Sequence, residues 1–300
     1  MPGFDDVPGA GKTVLRKCPA CLMPFDGMDW RCPACGQEPR SEGGIAILAP
    51  ELVEGDGTDA DYPFDVLIAA EARHFWFRSR AALIVGMIAR YFPAARSFME
   101  VGTGAGGVLL EVQRRDPRMR LVGSELLTRG LHEARRRLPG VELLQMDARR
   151  IPFTSEFDVI GAFDVIEHID DDETVLAQMQ AAVVPGGGII ITVPQHPWLW
   201  SAFDEFSGHR RRYTRRELVT KLSAAGFTLV RVTSFTSFLL PLLIAARRRR
   251  RAVDLGRELT VSSGLNRALL GIGALERAVI RAGASLPLGG SLLAVGVRRS

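Results

Sequence analysis

Residues 97–107 read Ser-Phe-Met-Glu-Val-Gly-Thr-Gly-Ala-Gly-Gly, a short apolar strand that meets an acidic residue and then a glycine-rich turn. Glycines let a backbone turn sharply and approach a ligand that any Cβ would push away. The following Val-Leu-Leu-Glu-Val starts a helix, so Gly102, Gly104 and Gly106 stand at a strand-to-helix elbow. Gly102, Gly104 and Gly107 also satisfy the GxGxxG spacing of dinucleotide binders. Glu100 separates the two readings, because a carboxylate beside the turn repels a pyrophosphate and suits an aminium group.

The next hundred residues repeat one theme, a strand ending in an acid. Arg120–Ser124 runs into Glu125, placed where a carboxylate can accept from both hydroxyls of a ribose; Val141–Gln145 ends in Met146-Asp147-Ala148; Phe157–Phe163 ends in Asp164-Val-Ile-Glu167-His168. A glycine-rich turn at 186–188 leads into a fifth strand closing at Pro194. Ligands of open α/β sheets collect at the carboxyl edge of the strands, and four acids at successive strand ends define such an edge.

These residues resemble motif I and the succeeding strand ends of the class I S-adenosylmethionine-dependent methyltransferases. The resemblance covers about residues 63–300 and is densest from 97 to 213. It implies an α/β, Rossmann-like sheet of seven strands, the last antiparallel, with helices on both faces. Thr228–Thr233 and Ser291–Val297 are the expected sixth and seventh strands. It also implies that Glu100, Gly102, Gly104, Gly106, Glu125, Asp147, Ala148 and Asp164 surround the cofactor, S-adenosylmethionine. A helical pattern over Asp65–Arg90, carrying His74-Phe-Trp-Phe-Arg-Ser-Arg80, occupies the place where related enzymes close a lid over that cofactor.

Upstream, all four cysteines fall in two Cys-x-x-Cys arms, Cys18/Cys21 and Cys32/Cys35. Such arms point four thiolates at one centre, the pattern of a structural zinc site; paired disulfides are the alternative, disfavoured in a reducing cytosol. We therefore expect a zinc ribbon at 1–40 that folds with its metal, a linker at 41–62, and the catalytic domain at 63–300. The N-terminus has no apolar core segment of a signal peptide, so a cytoplasmic protein is expected. Pro8-Gly-Ala-Gly-Lys-Thr13 imitates a phosphate loop but lacks its first glycine and any preceding strand.

Methyl transfer to a hydroxyl needs in-line positioning and a base, and His168, His196 and His209 are the candidates. Asp164-x-x-Glu167-His168 also resembles the Glu-x-x-Glu-His segment of ubiquinone-pathway O-methyltransferases, in which those side chains hold a divalent metal. Beyond the fifth strand, Trp198 and Trp200 are placed to wall an apolar substrate, and Arg211, Arg212 and Tyr213 to hold an acidic group on it. Between the sixth and seventh strands lies an insert, about 235–287, with an apolar stub, the run Arg247–Arg251 and an amphipathic segment at 265–281. Basic amphipathic segments beside an apolar stub favour anionic membranes, which suggests a peripheral enzyme on the inner face of the membrane acting on a hydrophobic or lipid-linked acceptor. A dimer interface or a lid over a soluble substrate explains the same residues. Two other functions share this plan: a ribosomal or transfer RNA base methyltransferase reading RNA with its ribbon, and a noncatalytic scaffold. A nicotinamide dehydrogenase leaves Glu100 and Asp147 unexplained.

Overall fold

The structure, a computed structural model, describes residues 15–27, 29–52, 64–249 and 261–299. An N-terminal hairpin pairs β1 (Leu15–Lys17) with β2 (Pro24–Asp26), and Cys18, Phe25 and Cys32 form its small core. Two short strands follow, β3 (Ser41–Glu42) and β4 (Ile45–Ile47), then helices α1 (Phe64–Glu71) and α2 (Phe75–Tyr91). The alternating unit comprises β5 (Ser97–Val101), α3 (Gly107–Arg115), β6 (Arg120–Glu125), α4 (Thr128–Arg137), β7 (Glu142–Gln145), β8 (Phe157–Phe163), α5 (Asp172–Ala182) and β9 (Val183–Pro194). A short α6 (Ala202–Phe206) and α7 (Arg215–Ala224) lead to β10 (Phe227–Phe235), α8 (Leu240–Arg249), α9 (Ser263–Arg281) and β11 (Ser291–Arg298).

The strands of the large sheet lie in the order β10-β11-β9-β8-β5-β6-β7-β4-β3. From β4 through β9 every neighbouring pair is parallel, and β11 runs against both β9 and β10. The seven expected strands are thus present as β5–β11, with the last antiparallel. The stretch 41–47, expected to be linker, instead extends the sheet by two strands. Ile45 and Ile47 are buried in the core, and Gln145 holds the following turn by donating to the Ala49 carbonyl and accepting from its N–H at 3.0 and 2.9 Å. An apolar Ile-Ala-Ile triplet has more to gain beside an open sheet edge than in solvent.

Every residue of β5 is buried, as a central parallel strand covered on both faces demands. One face of the sheet packs on α5 and α7 through residues such as Val175, Met179 and Leu222; the other packs on α2, α3, α4 and α9 through Ile84, Leu109, Leu131 and Ile280. Because the parallel strands run the same way, the ends of β5, β6, β7, β8 and β9 open together into one cleft of about 2010 Å³.

Candidate functional site

The glycine elbow forms one wall of the cleft. Gly102, Gly104 and Gly106 all have left-handed φ, at 71°, 52° and 79°. A Cβ on Gly102 would lie 2.3 Å from Val165 Cγ2, whereas nothing stands within 4 Å of one on Gly104. The first glycine therefore lets the β5 and β8 ends meet, and the second leaves room for a ligand. Glu125, at the end of β6, accepts from the Gly104 N–H at 2.9 Å and from the Leu126 N–H at 2.7 Å.

Glu100 is buried beneath this loop, with Thr103 Oγ1 donating to it at 3.3 Å. Burial raises its carboxyl to about 8, against the pull of the Arg80 guanidinium. A group in that state ionises readily when a cation arrives beside it. Asp147 and Ala148 also line the cleft, and Arg149 Nε donates to both Asp147 oxygens at 3.0 Å. Asp164 sits at left-handed φ 58°, a strained backbone that sites rather than cores retain.

Sequence reasoning did not single out Arg80, Glu71 or Arg137. Arg80 pairs with Asp164, stacks on Trp76 at 4.5 Å and lines the cleft, and its charge acts on buried Glu100. Glu71, at the end of α1, pairs with Arg137 at 2.6 Å, and Arg137 donates to the Ala105 carbonyl at 2.8 Å. Helix α1 is thereby latched across the elbow. The aromatic-basic cluster at 74–80 was the signal for Arg80; nothing in sequence spacing ties Glu71 to Arg137.

On the opposite side, the chain turns at Gly208 (φ 71°) and pairs back on β9, with the Tyr213 N–H donating to Pro194 O at 2.9 Å. This return brings His209 against His168, ring centroids 4.8 Å apart. His209 Nδ1 lies 2.9 Å from Oδ1 of Asp204, which is wholly buried and also holds Arg212 at 2.7 Å. Burial, with His209 alongside, lowers His168 to about 4. Glu167 is wholly buried, neither of its oxygens has a hydrogen-bond partner, and burial together with the Asp164 charge raises it well above the ordinary carboxylate range.

Several expected contacts are not made. His196 does not line the cleft; it stacks on Trp198, centroids 5.1 Å apart. Trp198 and Trp200 are exposed outside it. Tyr213 is buried, donating to Asp172 at 2.6 Å, and Arg211 pairs with the same carboxylate at 3.2 Å. Arg212 reaches the cleft wall, but Asp204 and the Gln195 carbonyl engage its guanidinium. A buried Asp172 and Asp204 need cations, and the Arg-Arg-Arg-Tyr run satisfies them before any substrate does. Asp164 does not join Glu167 and His168 as an expected metal set, being taken by Arg80 and by Thr192 Oγ1 at 3.2 Å. Glu167, His168 and His209 instead bring three ligand atoms within 4.8 Å of one another.

Far from the cleft, Cys18 and Cys35 Sγ are 3.7 Å apart, as are Cys21 and Cys32 Sγ. A tetrahedron of sulfurs about 2.3 Å from zinc has edges of about 3.8 Å; a disulfide needs about 2 Å. The donor set and spacing fit a closed zinc site. The Arg247–Arg251 run lies at the end of α8, with Arg250 and Arg251 outside the described residues. Among the described residues no helix is long and apolar enough to cross a membrane.

Comparison with known proteins adds a family to this geometry. A family model described as "Methyltransferase domain" matches residues 69–232. A trans-aconitate 2-methyltransferase of Azoarcus sp. is 29% identical over 131 residues, 44% of this chain and 49% of that protein. A ubiquinone/menaquinone biosynthesis C-methyltransferase of Desulfotalea psychrophila is 28% identical over 98 residues, 32% of this chain and 40% of that protein. The chain thus spans half or less of the length of these relatives. Among solved structures, phosphoethanolamine N-methyltransferase 2 of Haemonchus contortus superposes with a TM-score of 0.54 at 20% identity, over 81% of this chain and 58% of that one, a likeness of fold.

Proposed function

As a member of the methyltransferase-domain family, this chain is one for which we propose transfer of a methyl group from S-adenosylmethionine to an oxygen of a hydrophobic or lipid-linked small molecule at a membrane surface. The observation that carries the cofactor reading is the convergence of Glu100, Glu125, Asp147 and Asp164 around a glycine elbow with room above Gly104. In this reading Glu125 accepts from the ribose hydroxyls, Asp147 and Ala148 face the adenine, and Glu100 takes the aminium charge. Arg80 is the cation for the cofactor's carboxylate, exchanging its Asp164 contact when the cofactor enters.

The sulfonium already activates its methyl group, so this chain's residues need only align the acceptor and remove its proton. His209 is the base we assign: it lines the cleft, and Asp204 orients its ring so that Nε2 carries the lone pair. His168, kept neutral by its lowered pKa, serves as a neighbour rather than as the proton acceptor. The acceptor's apolar body lies under α8 and α9, where Leu239, Leu243 and Leu269 line the cleft. Relatives named for trans-aconitate and for ubiquinone/menaquinone biosynthesis support a small-molecule acceptor.

A second reading applies to one corner of the site. The two partnerless oxygens of buried Glu167 favour a divalent ion held by Glu167, His168 and His209, which would polarise an acceptor oxygen. Mn²⁺ titration of the zinc-loaded chain, with and without Glu167→Gln, separates the two: saturable binding lost in the variant supports the ion. In the ribbon, Cys18, Cys21, Cys32 and Cys35 would hold zinc structurally, since four thiolates leave no open position.

The testing experiment is calorimetric titration with S-adenosylhomocysteine, run in parallel with NADH. We expect saturable binding of the first alone. Binding of NADH alone overturns the methyl-transfer reading.

A further inference from the structure

Outside the cleft, α9 presents two distinct faces. Its inner face packs on α2, where Ile280 joins the core, and Gly273 lets Ser79 approach, a Cβ there standing 2.5 Å from Ser79 Oγ. Leu265, Ala268, Ile272 and Leu275 lie on a different arc, about 80° wide at 3.6 residues per turn, and all four are exposed, Leu275 to 60%. A helix with so many solvated apolar residues on one arc has a partner that folding alone does not supply. The rim of the cleft has the same character: Leu242 on α8 and Phe206 on α6 both line it and are 55% and 52% exposed.

Charge identifies the partner. Residues 236–299 hold eleven arginines and three acids, a formal +8, whereas the whole chain is +4. The remainder of the molecule is therefore net acidic, and the cationic part is the part with the exposed apolar arc. One of the three acids, Glu276, is buried and accepts from the N–H groups of Thr236, Ser237 and Phe238, at 2.6, 2.6 and 2.9 Å, so it does not offset the surface charge.

We propose that this arc of α9, with the apolar rim at Leu242 and Phe206, docks the protein on an anionic lipid bilayer and turns the cleft mouth toward the lipid. The leucines and Ile272 enter the interfacial region while arginines meet the headgroups. A second copy of the chain is a poorer occupant, because a two-fold interface would set one +8 segment against another. Nucleic acid would engage the arginines and leave the leucines and Ile272 in water. The docking gives the acceptor site its route of supply: a lipid-linked acceptor slides from the bilayer between α8 and α9 without crossing water. This rests on the reading of the cleft as an acceptor site for its meaning, not for its test.

The test is co-sedimentation of the full zinc-loaded chain with phosphatidylglycerol/phosphatidylcholine vesicles and with pure phosphatidylcholine vesicles. The triple variant Leu265→Ser, Ile272→Ser, Leu275→Ser removes the arc without touching the cleft lining. We expect binding to the anionic vesicles only, weakened about a hundredfold in the triple variant, with S-adenosylhomocysteine affinity unchanged as the check on folding. Replacing Arg247–Arg251 by Gln should weaken it about a thousandfold, and 0.5 M salt should mimic that loss. Equal partitioning of wild type and triple variant overturns the proposal. So does absence of vesicle binding, and a dimer dissolved by the triple variant would then assign the arc to a second copy. Vesicle binding with no S-adenosylhomocysteine binding would leave the docking face standing and sink the methyl-transfer reading instead.

Discussion

At the scale of single residues, Glu100 makes a pH-dependent prediction. Its carboxyl titrates at about 8 in the folded chain because burial disfavours the charge. The folded state thus holds a proton that the unfolded state releases near the ordinary carboxylate range, and Glu100 subtracts stability as pH rises from there through about 8. A bound aminium group reverses the balance by favouring the carboxylate. Titration of S-adenosylhomocysteine at pH 7 in two buffers of different ionisation enthalpy should therefore show close to one proton released. Buffer-independent heats at pH 7 would place the aminium elsewhere. Gly102→Ala supplies a second check, since its Cβ would lie 2.3 Å from Val165 Cγ2 at a left-handed φ. We expect a loss of about 1–3 kcal/mol in stability and at least tenfold in cofactor affinity, read by thermal unfolding and calorimetry. The acids and glycines at the strand ends were legible because β-strand ends are local and periodic. The fates of Arg211 and Tyr213 were not, because Asp172, which claims both, lies about 40 residues away in sequence.

Among elements, the return segment after α6 decides the chemistry. It carries His209 to His168 and buries Asp204 behind it, so His209→Ala should lower kcat by about 10²–10³-fold while leaving S-adenosylhomocysteine affinity unaltered. Asp204→Asn should lose less and shift the pH profile of kcat; an unchanged kcat in His209→Ala would dismiss it as the base. Helix α1 carries a different prediction. Its latch, Glu71 to Arg137 and on to Ala105 O, holds it across the glycine elbow. Glu71→Ala should speed cofactor dissociation about tenfold, measurable by stopped-flow fluorescence of Trp76, without changing the fold by circular dichroism. The aromatic cluster at 74–80, which lines the cleft, stood out in the sequence, whereas the latch did not, since its partners lie on α1 and α4. The strands at 41–47 escaped for a related reason: two and three residues are too few to show periodicity, and the pairing of β4 with β7 exists only in three dimensions.

At the scale of the whole molecule, the N-terminal hairpin is built into the unit formed by the large sheet. The Lys17 N–H donates to Pro152 O at 2.9 Å, and the buried Arg16 guanidinium stacks on Trp30 at 4.2 Å while pairing with Glu142 at 2.8 Å. Those contacts brace the segment that runs from Asp147 to β8, on which we place the adenine. Stripping zinc with a chelator should therefore weaken S-adenosylhomocysteine binding about tenfold or more and expose Trp30 fluorescence, with zinc restoring both; undiminished affinity would make the ribbon an independent appendage. β11 lies between β9 and β10, so β10, though made earlier, has no strand to join until Ser291–Arg298 has been synthesised. On the ribosome the growing chain must carry the open flank of β9 and an unpaired β10 through the making of the whole insert. Loss of its final strand by premature termination would leave two exposed β-edges, a species fit for a chaperone or for aggregation and not for catalysis.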